Sequence, residues 1–128
     1  MKYINYKEKE ELKNVLLYKK IVAWDKDFLL LDDGTKLTIQ CSEQDCCAWA
    51  GGNFYDVKLE AVITNVEFSE IESEDCWGTT TNSITVKILH NQNPIALADC
   101  DANDGNNGYY YSICSIVVNN IHYKIVDA

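Results

Sequence analysis

Apolar and polar residues alternate along most of this chain, and helical spacing replaces the alternation only near its start. There Leu12, Val15 and Leu16 recur among charged residues at the intervals of a helix with one buried stripe. Asn5 precedes Glu8 by three, a capping-box spacing, so a short helix is expected from about Tyr6 to Leu17. Downstream, Asp33-Gly34 has the composition of a two-residue hairpin turn. Pivoting there pairs Leu30 with Leu37 and Phe28 with Ile39 on a core face. Leu29, Leu31, Lys36, Thr38 and Gln40 are left for the other face, and Ile21 to Trp24 reads as the preceding strand. Asn119-Asn120 marks a second hairpin, since asparagine tolerates positive φ. It sets Tyr110, Cys114, Ile116, Val118, Ile121, Tyr123 and Ile125 on one apolar face. The opposite face, with Tyr109, Tyr111, Ser115, His122 and Lys124, is wetter. Further strands are expected over Ala61 to Phe68, Ser83 to His90 and Ile95 to Cys100, with a turn at Asn91-Gln92-Asn93-Pro94. Six to eight strands and one short N-terminal helix define an α+β domain. It is mainly antiparallel sheet, curled or stacked as a small sandwich or barrel-like body, and residues 1–128 form a single domain.

Composition narrows the partners. Twenty acidic residues face eleven basic ones, a net charge of −9, and every basic residue is lysine. Without arginine the chain lacks the planar fork that grips phosphate and reads guanine, so direct nucleic-acid binding is not expected. The charged start does not resemble a signal peptide, and no apolar run approaches the roughly 20 residues of a membrane helix. A cytoplasmic protein with no membrane contact follows, and in that compartment its six cysteines are expected as thiols. Cys100 and Cys114 suit small buried hydrophobes.

Three segments break the alternation: 41–53, 73–82 and 101–108. They are expected as loops, where binding residues concentrate on a rigid sheet. Asp45-Cys46-Cys47 lacks the paired spacing of a zinc site, and a catalytic thiol would need His90 or His122 as its base. His90 reads better as a satisfied edge or core residue, and His122 as solvated. Neither a metal, nor a cofactor, nor a catalytic residue is therefore expected. The run from Glu67 to Asp75 holds five carboxylates, the pattern of a solvated edge or of a surface that mimics nucleic acid. Asp101 to Tyr111 is the most unusual stretch, rich in Asp, Asn and Gly and ending in three tyrosines. Its side chains suit ribose hydroxyls and base edges, and its aromatics can stack on a base.

Leu31-Asp32-Asp33-Gly34-Thr35, Asp45-Cys46-Cys47-Ala48-Trp49 and Asn107-Gly108-Tyr109-Tyr110 follow one another in that order. In these motifs the chain resembles an uncharacterised domain family of small phage and bacterial proteins. The resemblance spans roughly Ile21 to Val118 and implies a compact β-rich domain with no established reaction. Asn106 stands where that family usually has serine. A phage setting points to a non-enzymatic sponge that sequesters a nucleotide second messenger of the cyclic ADP-ribose or cyclic oligonucleotide type, acting in the host cytoplasm. The ligand site would comprise Asp45, Cys46, Trp49, Trp77, Asp104, Asn106, Asn107, Gly108 and Tyr109, with Tyr109 stacking and Tyr110 anchoring the strand. Lys36, Lys58 or Lys87, with backbone N–H groups, would supply the positive field that a phosphate needs. An acidic protein–protein inhibitor or DNA mimic is the alternative, a thiol- or metal-dependent enzyme the third reading. Among oligomers a homodimer is the default expectation.

Overall fold

In the computed structural model, which describes residues 4–45, 48–76, 78–105 and 111–128, the alternation becomes two stacked sheets. In chain order the elements are β1 (Asn5–Glu8), a 3-10 turn (Lys9–Glu11), α1 (Leu12–Leu16), β2 (Ile21–Asp25), β3 (Phe28–Leu31) and β4 (Lys36–Gln44). Then come β5 (Trp49–Tyr55), β6 (Asn65–Phe68), β7 (Glu72–Cys76), β8 (Thr79–His90), β9 (Asn93–Asn103), β10 (Ser112–Val118) and β11 (Ile121–Asp127). One sheet runs β1-β11-β10-β4-β3-β2 and the other β5-β9-β8-β6, with β7 continuing beside β8. Every pairing is antiparallel except that of β1 on β11. The inner faces share one core, in which Leu29, Leu37, Val86, Cys100, Cys114 and Ile116 are buried. The Cys114 thiol of β10 donates to the Gly51 carbonyl of β5 at 3.4 Å, so the sheets meet closely there. The mainly antiparallel α+β architecture is thus the expected one, not closed into a barrel.

The N-terminal helix is shorter than its apolar stripe suggests. Leu12 and Leu16 are buried as the spacing requires, but residues 5–8 form an edge strand instead of a first helical turn. Pairing with Ile121–Lys124 gives that backbone sheet partners, and tertiary contact overrides a marginal local preference. The capping interaction moves with it, from Asn5 to Glu8, whose N–H donates to the Glu11 carboxylate at 3.3 Å.

The two hairpins differ. At Asn119-Asn120 both residues take positive φ, 51° and 65°, and Val118 pairs with Ile121 as expected. At Asp33-Gly34 the expected register is overturned. The loop holds three residues, Asp32, Asp33 and Gly34, because only Gly34 adopts positive φ (89°). Leu31 N–H donates to the Thr35 carbonyl at 2.8 Å and the Leu31 carbonyl accepts from Gly34 N–H at 3.0 Å, a type I turn with a glycine bulge. Leu29 therefore pairs with Leu37 and Leu30 with Lys36. Leu29, Leu31 and Leu37 enter the core, while Phe28 and Leu30 are half-buried, with Lys36 Nζ 4.8 Å from the Phe28 ring centre.

Of the three segments expected as loops, 41–53 and 73–82 are mostly strand, and in the third β9 runs to Asn103 while 106–108 lie outside the described residues. β4 runs to Gln44, β5 starts at Trp49, and the hairpin of β7 and β8 crosses residues 73–82. Gly52 is a strand glycine, since a Cβ there would lie 1.9 Å from the Asp99 carbonyl oxygen and block the β5–β9 pairing. The expected strand over 61–68 contracts to Asn65–Phe68, preceded by an isolated bridge between Lys20 and Val62.

Candidate functional site at one end of the sandwich

The end of β4, the start of β5, the β7–β8 hairpin, the end of β9 and the start of β10 meet through backbone and side-chain bonds. Gln44 pairs with Ser112, and Asp45 N–H donates to the Tyr111 carbonyl at 2.9 Å. Asn103 lies between Trp49 of β5 and Thr81 of β8 in the ladder. Its amide nitrogen donates to the hydroxyls of Thr81 (2.9 Å) and Thr79 (3.2 Å), and its amide oxygen accepts from Gly105 N–H at 2.7 Å. Asp104 exchanges bonds with Thr80: its N–H donates to the Thr80 carbonyl, and its carboxylate accepts from Thr80 N–H at 2.9 Å. The Ser112 hydroxyl is 2.8 Å from the carbonyl oxygens of both Trp49 and Asn103.

Of the four buried polar residues among those described, Asn103, Asp104 and Ser112 belong to this end. No described buried side-chain nitrogen or oxygen lacks a partner. Satisfied buried networks fix geometry, because leaving one member unpaired in a low dielectric is costly. Here the network ties β9 to β5, β8 and β10. At the same end of the sandwich Trp49 and Tyr111 are exposed, at 48% and 42% of their surface. The Tyr111 hydroxyl lies 3.5 Å from Glu43, and that carboxylate, then slight burial and Asp45, push its pKa up.

Of the residues expected at the ligand site, the fold brings together Asp45, Trp49 and Asp104. Asp104 is buried and fastens Thr80, so its carboxylate serves the scaffold. Cys46, Trp77, Asn106, Asn107, Gly108 and Tyr109, with Tyr110, lie outside the described residues. The three lysines assigned to a phosphate do not join this end. Lys36 starts β4, which reaches the site at Gln44; Lys87 lies eight residues along β8 from Thr79; Lys58 follows the far end of β5. Sequence reasoning missed Asn103, Ser112 and Tyr111. Ser112 had left a signal, a serine in phase with Cys114, Ile116 and Val118 on the core face.

A second polar cluster occupies the outer face of the larger sheet. Between Ile113, paired with Glu43, and Cys114, paired with Cys41, Ser42 is the extra residue of a bulge. The bulge lets Ser42 and Glu43 join one cluster although they are consecutive. The Ser42 hydroxyl lies 2.6 Å from His122 Nδ1 and 2.7 Å from the Ser115 hydroxyl. The Tyr6 hydroxyl donates to Glu43 Oε2, and its ring stands edge-on to His122 with centres 5.9 Å apart. Ser115 is fully buried and His122 half-buried, so the expectation that they lie on a solvated face is corrected. Burial pushes the His122 pKa below its ordinary value, and burial with Glu43 pushes that of Tyr6 up. His90 is satisfied as expected, Nδ1 lying 2.8 Å from the Val62 carbonyl.

Cys41 and Cys100 are not poised for nucleophilic work. Contact with Cys114 and burial push the Cys100 pKa well up, and burial raises that of Cys41, so both are held as thiols. Among the described residues no three His, Cys, Asp or Glu side chains are grouped to hold a metal, and no helix is long and apolar enough to cross a membrane. A polar cavity of about 300 Å³ opens where β6 and β7 part, lined by Ser69, Glu72, Ser83, Thr85, Asp99 and Asp101. One oxygen of Asp99 accepts from Tyr55 (3.0 Å) and Thr85 (3.1 Å).

No curated protein and no solved structure is significantly similar to the chain. A family model does match, over residues 14–117, and it takes in Asp45, Trp49, Asn103, Asp104 and Ser112. The chain therefore belongs to the domain-of-unknown-function family DUF7448.

Proposed function

We propose that this protein is a non-enzymatic binding domain that sequesters a small nucleotide-like ligand at the Trp49–Tyr111 end of the sandwich, as a phage-type immune-evasion sponge would. The observation that carries this reading is the buried network of Asn103, Asp104 and Ser112 at the end where Trp49, paired with Asn103 in the ladder, and Tyr111 are exposed. Stacking on a prearranged aromatic contributes about 1–3 kcal/mol per base, and a fixed scaffold lowers the ordering cost of binding. With Lys36, Lys58 and Lys87 placed elsewhere, recognition rests on base and ribose, with phosphate met by backbone N–H groups or left in solvent. Calorimetry against cyclic oligonucleotides, cyclic ADP-ribose and linear ADP-ribose tests the reading. One of them should bind, return unaltered, and lose about tenfold in affinity with Trp49→Ala. No binding by any of the three rejects it.

A second reading, an inhibitor that presents an acidic face to a basic protein partner, is supported by the placement of the acidic run. Glu67, Glu70, Glu72, Glu74 and Asp75 are all exposed along β6 and β7, beside the cavity that holds Asp99 and Asp101. Such binding would weaken steeply with salt, whereas stacking at Trp49 would respond little.

A further inference from the structure

Strand β1 is held to the sheet in an unusual way. It contributes four residues, is the parallel edge strand, and exposes Asn5, Lys7 and Glu8. Tyr6 alone turns inward, and its side chain reaches past β11 and β10 to Glu43 on β4. Beneath it lie His122, Ser42 and Ser115. Beyond it Lys9 sits over the Phe68 ring, 5.9 Å from its centre, and Leu12 is the first residue buried in the core, so residues 5–8 can part from β11 without displacing a core side chain.

We propose that β1 is a proton-gated strap: Tyr6 stays docked over neutral His122, and protonation of His122 favours release of Tyr6 and of the strand behind it. While the strap is closed, the imidazole is half-buried, with Nδ1 2.6 Å from the Ser42 hydroxyl oxygen. A proton added there creates a charge that water reaches poorly. Lifting Tyr6 exposes the ring, so the open form binds the proton more tightly, and acid shifts the balance towards it.

The charged and titratable groups around His122 set the direction. Tyr6 packs on it from β1, and Glu43 lies on β4 with Tyr111 beside it. Along β11, Lys124 lies two residues on, beside Glu8 in the ladder, and its ammonium is paired with the Asp127 carboxylate at 3.1 Å, so its charge is offset. Glu43 favours an imidazolium and opposes release, but two tyrosine hydroxyls already engage its oxygens. The net direction is the one burial imposes.

The test is hydrogen exchange read by NMR on the whole chain without ligand, corrected for intrinsic rates, between pH 8 and 5. Amides of the β1–β11 ladder should lose protection on acidification, by up to about tenfold per pH unit while one proton is taken up. Amides of β9 should keep theirs, which separates release from global unfolding. His122→Gln should abolish the pH dependence of the β1 amides, and Tyr6→Phe should lower their protection at every pH. Constant wild-type protection, or an unaltered pH dependence in His122→Gln, would overturn the proposal. Since no ligand enters, a failure to bind nucleotides leaves this result standing.

Discussion

The two polar clusters of this protein are built on opposite principles. At the sandwich end, Asn103, Asp104 and Ser112 are buried and bonded chiefly to backbone groups and threonine hydroxyls, which do not change charge near neutral pH. On the outer face, Tyr6, His122 and Glu43 are half-buried, titratable and bonded to one another or to serine. The first arrangement locks geometry. The second holds a strand by contacts that a proton or a single hydroxyl can alter. Rigid support belongs under a preformed ligand surface, and adjustable support belongs to an edge that can move.

Substitutions can break this contrast. The largest effect is expected for Asn103→Ala, which leaves Gly105 N–H without its acceptor, strips Thr79 and Thr81 of a donor, and should destabilise the fold by about 2–4 kcal/mol in urea melts. A loss under 1 kcal/mol would mean that the end is not locked. Ser112→Ala should cost about 1–3 kcal/mol, because the carbonyls of Trp49 and Asn103 lose a shared donor in a buried place. Tyr6→Phe keeps the ring and removes one hydroxyl from a partly exposed site, so about 0.5–1.5 kcal/mol is expected.

Acid should act only on the second cluster in the mild range. His122 has a lowered folded pKa, so its contribution is fully present above the ordinary value of 6.5 and fades as pH falls through the folded value. Urea melts should weaken from pH 7.5 downward through that window in wild type, more than in His122→Gln. The smallest stability change is expected for Trp49→Ala, within about 0.5 kcal/mol, since its ring is half exposed. Calorimetry of the same variant would show whether a residue nearly silent in folding carries binding.

Much of the fold was legible because alternation is a local property. The Asn119-Asn120 hairpin and its core face follow from two residues that accept positive φ and from the apolar phase around them. The Asp33-Gly34 hairpin slipped by one because an Asp-Gly pair serves both a two-residue turn and a three-residue turn with a glycine bulge. Hydrogen bonding chose between them. The site was half legible: Asp45, Trp49 and Asp104 share one end, but Ser112 looked like an ordinary strand residue and Asn103 did not stand out from the other Asn and Asp residues of its stretch.

The sequence by itself determined a β-rich domain with a short N-terminal helix, buried Cys100 and Cys114, a strongly acidic surface without arginine, and the candidate chemistry of its Asn-, Asp- and aromatic-rich segments. These depend on residue type and near-neighbour spacing. Only the tertiary structure decided that residues 5–8 become a parallel edge strand, that a bulge at Ser42 gathers Ser42, Glu43 and His122, and that Asn103 and Ser112 join four strands at one end. Those contacts join positions from 9 to 116 residues apart. A local pattern says which face a side chain takes, but the partner across that face is chosen only when the sheets pair and stack.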